Sequence, residues 1–417
     1  MNRDKLKNLT LNITDGEHGS IIDSLNSSYY LLSNKNIKNG KINITNDDRK
    51  ISIDSFNKIR KRTKLSNNDV VVASVGTIGK TAIIKGNNIN FDFQRSVAII
   101  KPNQSKITSD YLYYFFNVPY VKKQLQNKAN GAVQKCLYIN DFENLDIDYH
   151  DILTQQKITS ILSIFDEKME LNNKINKELE KIAKTLYDYW FVQFDFPNEN
   201  GKPYKSSGGK MVWSDELKKE IPKEWTVASL YKNSLTSILK PKIEKFEGSK
   251  EYLATANING RKIIRGDLIT YENRESRANM QPVINSVWFA KMKSSRKHIF
   301  IGKYSDDIIE NNIFSTGFLG LKCEDLAFEY IASFISSDIF ELTKDIISHG
   351  ATMQGIGNDD LKIVKLVIPR KEVLMSYKKI TEDVYKKIDL IRQENKKLEE
   401  VRDWLLPMLM NGQVITD

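Results

Sequence analysis

The stretch with the clearest chemical outline is Ser74-Val75-Gly76-Thr77-Ile78-Gly79-Lys80-Thr81, which follows an apolar run. Its glycines, lysine and threonine have the composition of a phosphate-cradling loop, where backbone amides, an ammonium and a hydroxyl serve phosphate and magnesium. Ser74 stands where such a loop opens on glycine. After Thr81 the chain continues Ala-Ile-Ile-Lys-Gly, a strand pattern, whereas a phosphate loop must open a helix whose N-terminus faces the ligand. A glycine turn in a hairpin is the better reading, with Thr77 and Lys80 left to meet a phosphate of DNA.

Other catalytic outlines are incomplete. Asn117-Val118-Pro119-Tyr120 is one proline short of the Asn-Pro-Pro-aromatic motif of amino-group methyl transfer, and it lies between helical segments with no glycine-rich turn suited to S-adenosylmethionine. Glu178-Leu179-Glu180-Lys181 has the acid-x-Lys ending of many nucleases, yet no partner carboxylate precedes it in a strand; an exposed helix face explains it. His18, His150, His298 and His349 are isolated, without a second ligand at metal spacing. Cys136 and Cys323 cannot build a disulfide framework and are expected to be buried thiols. No Gly-x-Ser-x-Gly elbow occurs. No catalytic residue is assigned, no metal site is expected, and the weight moves toward binding.

Binding to an anion is what the charge favours. Lys plus Arg number 63 against 53 Asp plus Glu, a net charge of +10, which leaves nucleic acid and anionic membrane both open. One basic cluster includes Lys58, Arg60, Lys61 and Arg62; a second includes Arg274, Arg277, Lys291, Lys293, Arg296 and Lys297. Either alone reads as a solvated face. Their presence in both halves of the chain points to phosphate neutralisation. Side chains able to read base edges lie nearby: Gln94 with Arg95, Gln134 with Lys135, and Gln354.

The elements that must position these residues form one pattern used twice. Gly131-Ala132 recurs as Gly350-Ala351, a step of 219 residues, and the same step links Asp141 to Asp360, Leu171 to Leu390 and Leu186 to Leu405. Tyr30-Leu31 answers Tyr252-Leu253 at a slightly longer step. A repeat this long is a globular unit plus a helix, duplicated, giving two similar surfaces with pseudo-two-fold symmetry. At 417 residues, 40% of them apolar, the chain can bury more than one core. The expectation is two similar α/β or α+β domains, at 1–153 and 226–371. Strands are expected at 70–73, 97–100, 283–289 and 364–368, and helices at 110–126 and 326–344.

Each domain runs into a long spacer helix, at 154–197 and 372–412. In the first, Ile158, Ile161, Phe165, Ile175, Leu179, Ile182 and Leu186 follow a coiled-coil register interrupted by Lys168 and Asn172. In the second, Tyr377, Ile380, Val384, Ile391, Leu398, Val401 and Leu405 repeat it, with Lys387 and Glu394 in the seam. Roughly 35 helical residues at 1.5 Å each span on the order of 50 Å, more than one small domain needs. The helices are expected to pair antiparallel, holding the two domains apart at a set gap. A connecting segment, 198–225, is rich in Gly, Pro and Lys and should cross the surface. The aromatics around it, among them Trp190, Phe191, Phe194, Phe196, Trp213 and Trp225, either dock it on the helix end or face a partner.

This arrangement resembles the specificity subunit of type I restriction-modification systems over essentially the whole chain. The likeness rests on Gln155-Gln156-Lys157-Ile158 through Tyr189-Trp190-Phe191, on Phe194 to Pro197 and Ile221 to Trp225, on Leu398-Glu399-Glu400-Val401-Arg402-Asp403-Trp404-Leu405-Leu406-Pro407, and on the turn Gly76-Thr77-Ile78-Gly79. One departure is the Pro-x-x-Trp lead-in of Pro222 to Trp225, which has no counterpart before the first domain. The resemblance implies a non-catalytic subunit that reads a bipartite double-stranded DNA site, one domain per half, while its helices bind two methyltransferase subunits and restriction subunits join. S-adenosylmethionine, ATP and Mg would then belong to the partners, with no cofactor in this chain. A stand-alone DNA-modifying enzyme and a protein scaffold without DNA binding are the alternatives. With no apolar stretch of membrane or signal-peptide kind, a cytoplasmic location is expected.

Overall fold

The computed structural model of the chain describes residues 1–129 and 135–414. It divides into two compact units, Met1–Glu170 with Lys396–Asp417, and Leu171–Asn395. Two long helices, Ile152–Tyr187 and Lys371–Met410, each contribute residues to both units. The fold class is the mixed α/β one expected, built twice.

In the first unit a four-stranded antiparallel sheet runs in the order Thr10–Asp15, Val97–Pro102, Val70–Ala73, Thr81–Ile83. The second unit repeats it as Thr236–Ile238, Phe318–Cys323, Ser286–Ala290, His298–Ile301. The central strands are apolar at nearly every residue because both faces are covered, and strand geometry sends alternate side chains to opposite faces. Val70, Val72, Ala98 and Ile100 enter the core beneath the helices, while Val71, Ala73, Val97 and Ile99 enter a second core with Leu32 and Phe93. The same split separates Val287 and Phe289 from Trp288 and Ala290. A parallel pair lies against each sheet: Tyr30 opposite Phe91 in one unit and Tyr252 opposite Ile313 in the other.

Two predicted helices are broken. The 110–126 segment is Ser109–Asn117 followed by Pro119–Lys128, because proline starts a helix well and forces the residue before it, Val118, into an extended conformation. The 326–344 segment is Phe328–Ser336 and then Asp338–Ile347, with the Ser337 side chain capping the second helix by accepting from Phe340 N. The strand expected from Val283 begins at Ser286.

The connecting segment is ordered rather than draped. It forms a hairpin, Met211–Ser214 with Lys219–Pro222, and its aromatics build core: Phe196 stacks on Trp225 at 4.9 Å and on Tyr204 at 4.6 Å, and Phe191 lies 4.5 Å from Tyr330. Docking is therefore their role, apart from Trp213 and Tyr189, which stay exposed. Cys323 is buried as expected, but Cys136 is only half-buried.

Within each unit the two long helices pair antiparallel. In the first, Ile158 and Leu162 share a core with Leu406, Leu409 and Met410, and Arg402 Nη1 donates to Asp166 Oδ1 at 2.7 Å. In the second, Asn172 Nδ2 donates to Glu394 Oε2 at 2.8 Å and Asn395 Oδ1 at 2.9 Å, while Trp190 lies 5.5 Å from Tyr377. The buried line differs from the apolar register. Ile391 is buried, and Ile161, Phe165, Leu179, Leu186, Val384, Leu398 and Leu405 are half-buried, but Ile175, Ile182, Ile380 and Val401 are exposed. Of the polar residues in the register, Asn172 is 1% exposed, whereas Lys168 and Lys387 are exposed. Asn172→Ala removes the donor that Asn395 and Glu394 share, and is expected to cost about 1–2 kcal/mol in chemical denaturation.

Glu329 is a second buried polar group of this unit. It is 5% exposed, its Oε2 has no hydrogen-bond partner among the described residues, and it lines a cavity of about 20 Å³ with Lys303, Glu382 and Tyr385. Burial pushes its carboxyl up to about 7 from an ordinary 4.5. The folded unit thus holds a proton that the unfolded chain releases between those values, so stability is full below 4.5 and declines as pH rises toward 7. Glu329→Gln should raise stability by roughly 1–3 kcal/mol at pH 8 and leave it unchanged at pH 4, read by melting at the two values.

Candidate nucleic-acid interface

In the first unit the segment 74–80 joins the strands Val70–Ala73 and Thr81–Ile83, so it is a hairpin turn and not a phosphate loop opening a helix. Gly76 (φ 71°) and Gly79 (φ 86°) supply the left-handed backbone it needs. At Gly76 a Cβ would also meet Asn34 Nδ2 at 2.9 Å, the group that donates to Val75 O at 2.6 Å. Backbone bonds then gather three segments. Ser74 N donates to Ser96 O at 3.0 Å, Leu137 N donates to Ser74 O at 2.9 Å, and Val75 bridges to Cys136. Thr77, Lys80, Arg95 and Lys135, distant in sequence, are brought around one turn and all are exposed. Among the described residues Lys80, Arg95 and Lys135 form no ion pair, which leaves their charge available to an anion. Gln94 is half-buried, and its backbone N–H donates to Leu32 O at 2.9 Å. Gln134, like Gly131-Ala132, lies outside the described residues.

The second unit builds the same turn with other side chains. Lys291 N donates to Gly317 O and Ile356 N donates to Lys291 O, both at 3.0 Å, and Met292 bridges to Gly355. These are the counterparts of the Ser74, Ser96, Leu137 and Cys136 contacts. Lys293 pairs with Gln354 twice, backbone to backbone at 3.0 Å and Nζ to Oε1 at 2.9 Å. Arg277 joins through its carbonyl, which accepts from Thr316 N at 2.8 Å. Lys291 is half-buried, and burial pushes its ammonium below the ordinary lysine range.

The remaining basic residues divide. Lys58 and Lys61 are exposed on the helix Ile53–Thr63. Arg60 from the same helix turns inward, 3.0 Å from the Oδ2 of Asp92, a carboxylate that is 0% exposed, and donates to Leu65 O and Phe91 O. A charge so buried demands its counter-ion, which makes Arg60 a structural residue. Arg62 is tied to Asp15 and Gly16 O, and Arg274 folds onto the Tyr271 ring and carbonyl. Arg296 pairs with Asp338 at 2.8 Å, and Lys297 Nζ donates to Thr255 O at 2.7 Å. Asn34, which anchors the first turn, carried no sequence signal beyond its type. Among the described residues no helix is long and apolar enough to cross a membrane.

Comparison with known proteins agrees with this duplicated arrangement. Residues 15–181 match the family described as the type I restriction modification DNA specificity domain. The chain is 24% identical over 364 residues to the type I restriction enzyme MjaIX specificity subunit of Methanocaldococcus jannaschii, covering 83% of this chain and 77% of that protein. It is 23% identical over 389 residues to the HindI specificity subunit of Haemophilus influenzae, covering 81% and 84%. Among solved structures, the S subunit of a type I restriction-modification system from M. genitalium shares the fold, with a TM-score of 0.51 and 16% identity over 98% of this chain and 95% of that one. Residues 15–181 thus belong to the DNA specificity domain family of type I restriction-modification systems, and over most of its length the chain is similar to their specificity subunits.

Proposed function

We propose that this chain is the DNA sequence-recognition subunit of a type I restriction-modification complex, and that it reads a bipartite duplex with one unit per half-site. The observation that carries the reading is the recurrence of one hydrogen-bonded turn in both units with different side chains: Thr77, Lys80, Arg95 and Lys135 in the first, Lys291, Lys293, Arg277 and Gln354 in the second. Cations there neutralise phosphates and fix register, while Gln354 and the arginines have the donor geometry that base edges require. A shared scaffold with unlike tips suits two different short sequences.

Two methyltransferase subunits would dock on the long helices. In the second unit Leu171, Ile175 and Ile182 recur at four- and seven-residue steps and are all exposed, an apolar line that a partner would cover. Restriction subunits would complete the assembly. Adenine methylation, ATP-driven translocation and cleavage, with their S-adenosylmethionine, ATP and Mg, would belong to those partners, and the assembly would work in the cytoplasm. Mapping methylated adenines in the source cell with and without this chain tests the reading. One bipartite sequence should lose its methylation when the chain is deleted; an unchanged map would refute the assignment.

A further inference from the structure

The second unit's turn is gripped from below by one helix. Four residues of Asp338–Ile347 reach the segment 294–298: Asp338 accepts from Arg296 Nη1 at 2.8 Å, Glu341 Oε1 lies 2.8 Å from His298 Nε2, Lys344 Nζ donates to Ser295 O at 2.8 Å, and Asp345 Oδ1 accepts from Ser294 N at 2.7 Å. Three of them, at 338, 341 and 345, share a face by helical spacing. Lys344 and Glu341 form an ion pair at 2.8 Å and are 0% and 1% exposed, so neither charge can leave the other without a large penalty. Ser294 sits at φ 54°, a conformation that a non-glycine residue holds only when its surroundings enforce it, and the Asp345 carboxylate is bound to its amide.

The first unit holds its turn differently. The matching helix is Pro119–Lys128, and at the step of 219 residues Pro119, Lys122 and Leu125 stand for Asp338, Glu341 and Lys344. Leu125 and Lys122 pack their carbon atoms under Gly79, with no ion pair between the helix and the turn among the described residues. Thr81, which follows that turn as His298 follows the other, bonds through its side chain, among the described residues, only to Gly79 O. One scaffold therefore carries a turn seated on carbon in one unit and a turn seated on fixed charges in the other.

From this contrast we infer that the helix Asp338–Ile347 is a positioning platform for the second reader turn, and that Lys344 and Asp345 set which bases the turn accepts while touching no DNA themselves. The inference rests on the proposed DNA-reading function. It is tested with the full chain bound to its methyltransferase subunits, by selecting double-stranded DNA from a library with a randomised central segment. Wild type should select a bipartite sequence. Lys344→Met and the milder Asp345→Ala should flatten the preference in one half by about tenfold, as loss of a charge-assisted hydrogen bond would. The other half should be unchanged, and Asp345→Asn, which keeps the acceptor oxygen, should restore the lost half. Equal weakening of both halves would mean general destabilisation and would overturn the inference, as would a folded Asp345→Ala protein with both preferences intact. A wild type that selects no sequence would instead overturn the DNA-reading function itself, and the inference with it.

Discussion

Phe191→Ala is expected to remove about 3–5 kcal/mol from the second unit, the range for emptying a buried aromatic site. Phe191 is 2% exposed and lies at the centre of an aromatic cluster, with ring centroids 4.5 Å from Tyr330, 4.8 Å from Tyr377, 5.6 Å from Tyr187 and 5.8 Å from Trp225. Those neighbours come from the end of the first long helix, the segment after the hairpin, a helix of the globular part and the second long helix. No single neighbour can move in to fill the hole without giving up its own packing elsewhere. Each edge or tilted ring pair adds about 0.5–1.5 kcal/mol beyond area burial, so the high end of the range is the better expectation. Against a typical domain stability of about 5–15 kcal/mol this is a large fraction. Urea unfolding followed by tryptophan fluorescence reads it directly, since Trp190 and Trp225 adjoin the site. A loss under about 1 kcal/mol would show that the cluster is not the keystone of this unit.

The opposite profile is expected for Lys80→Ala, Arg95→Ala and Lys135→Ala combined. All three are exposed and unpaired among the described residues, so their removal strands no partner and the melting temperature should stay where it is. Binding to duplex DNA should nonetheless fall by roughly a hundredfold at low salt, and the plot of log affinity against log salt should flatten by about 0.9 for each phosphate left without its cation, close to 3 in all. Arg60→Ala makes the contrast: it leaves the Asp92 carboxylate buried without its cation, and should lower stability. Competition titrations at several salt concentrations, beside a melting curve for each variant, separate the two classes.

These contrasts also show what one sequence could disclose. The duplication was legible because the helices preserve it at a constant step, and the central strands were legible because Val70–Ala73 and Val97–Pro102 are apolar at nearly every residue. The turn at Gly76 and Gly79 was legible because a strand follows it. The helix break at Ser337 was overlooked where an apolar pattern ran through the cap, whereas that at Pro119 was half legible, since Asn117–Tyr120 reads as lying between helical segments even though one helix is expected over 110–126. Part of the seam was misjudged for a related reason: Ile175 and Ile182 look like core residues yet are exposed, while Asn172, a polar interruption of the same register, is buried because its amide finds Glu394 and Asn395 more than 200 residues away. Basic residues could not be sorted at all. Whether Arg60 meets solvent or a buried carboxylate depends on Asp92, 32 residues on and on another element, and nothing local to Arg60 records it.

The central claim is that the two turns read two different halves of one DNA site. Its most direct test is to map methylated adenines in cells carrying either the Lys80, Arg95 and Lys135 alanine variant or a Lys291, Lys293 and Gln354 alanine variant. Each should relax sequence preference in one half of the same bipartite site, and the two should relax opposite halves. Relaxation of the same half by both, or an unaltered site in both, would contradict the claim.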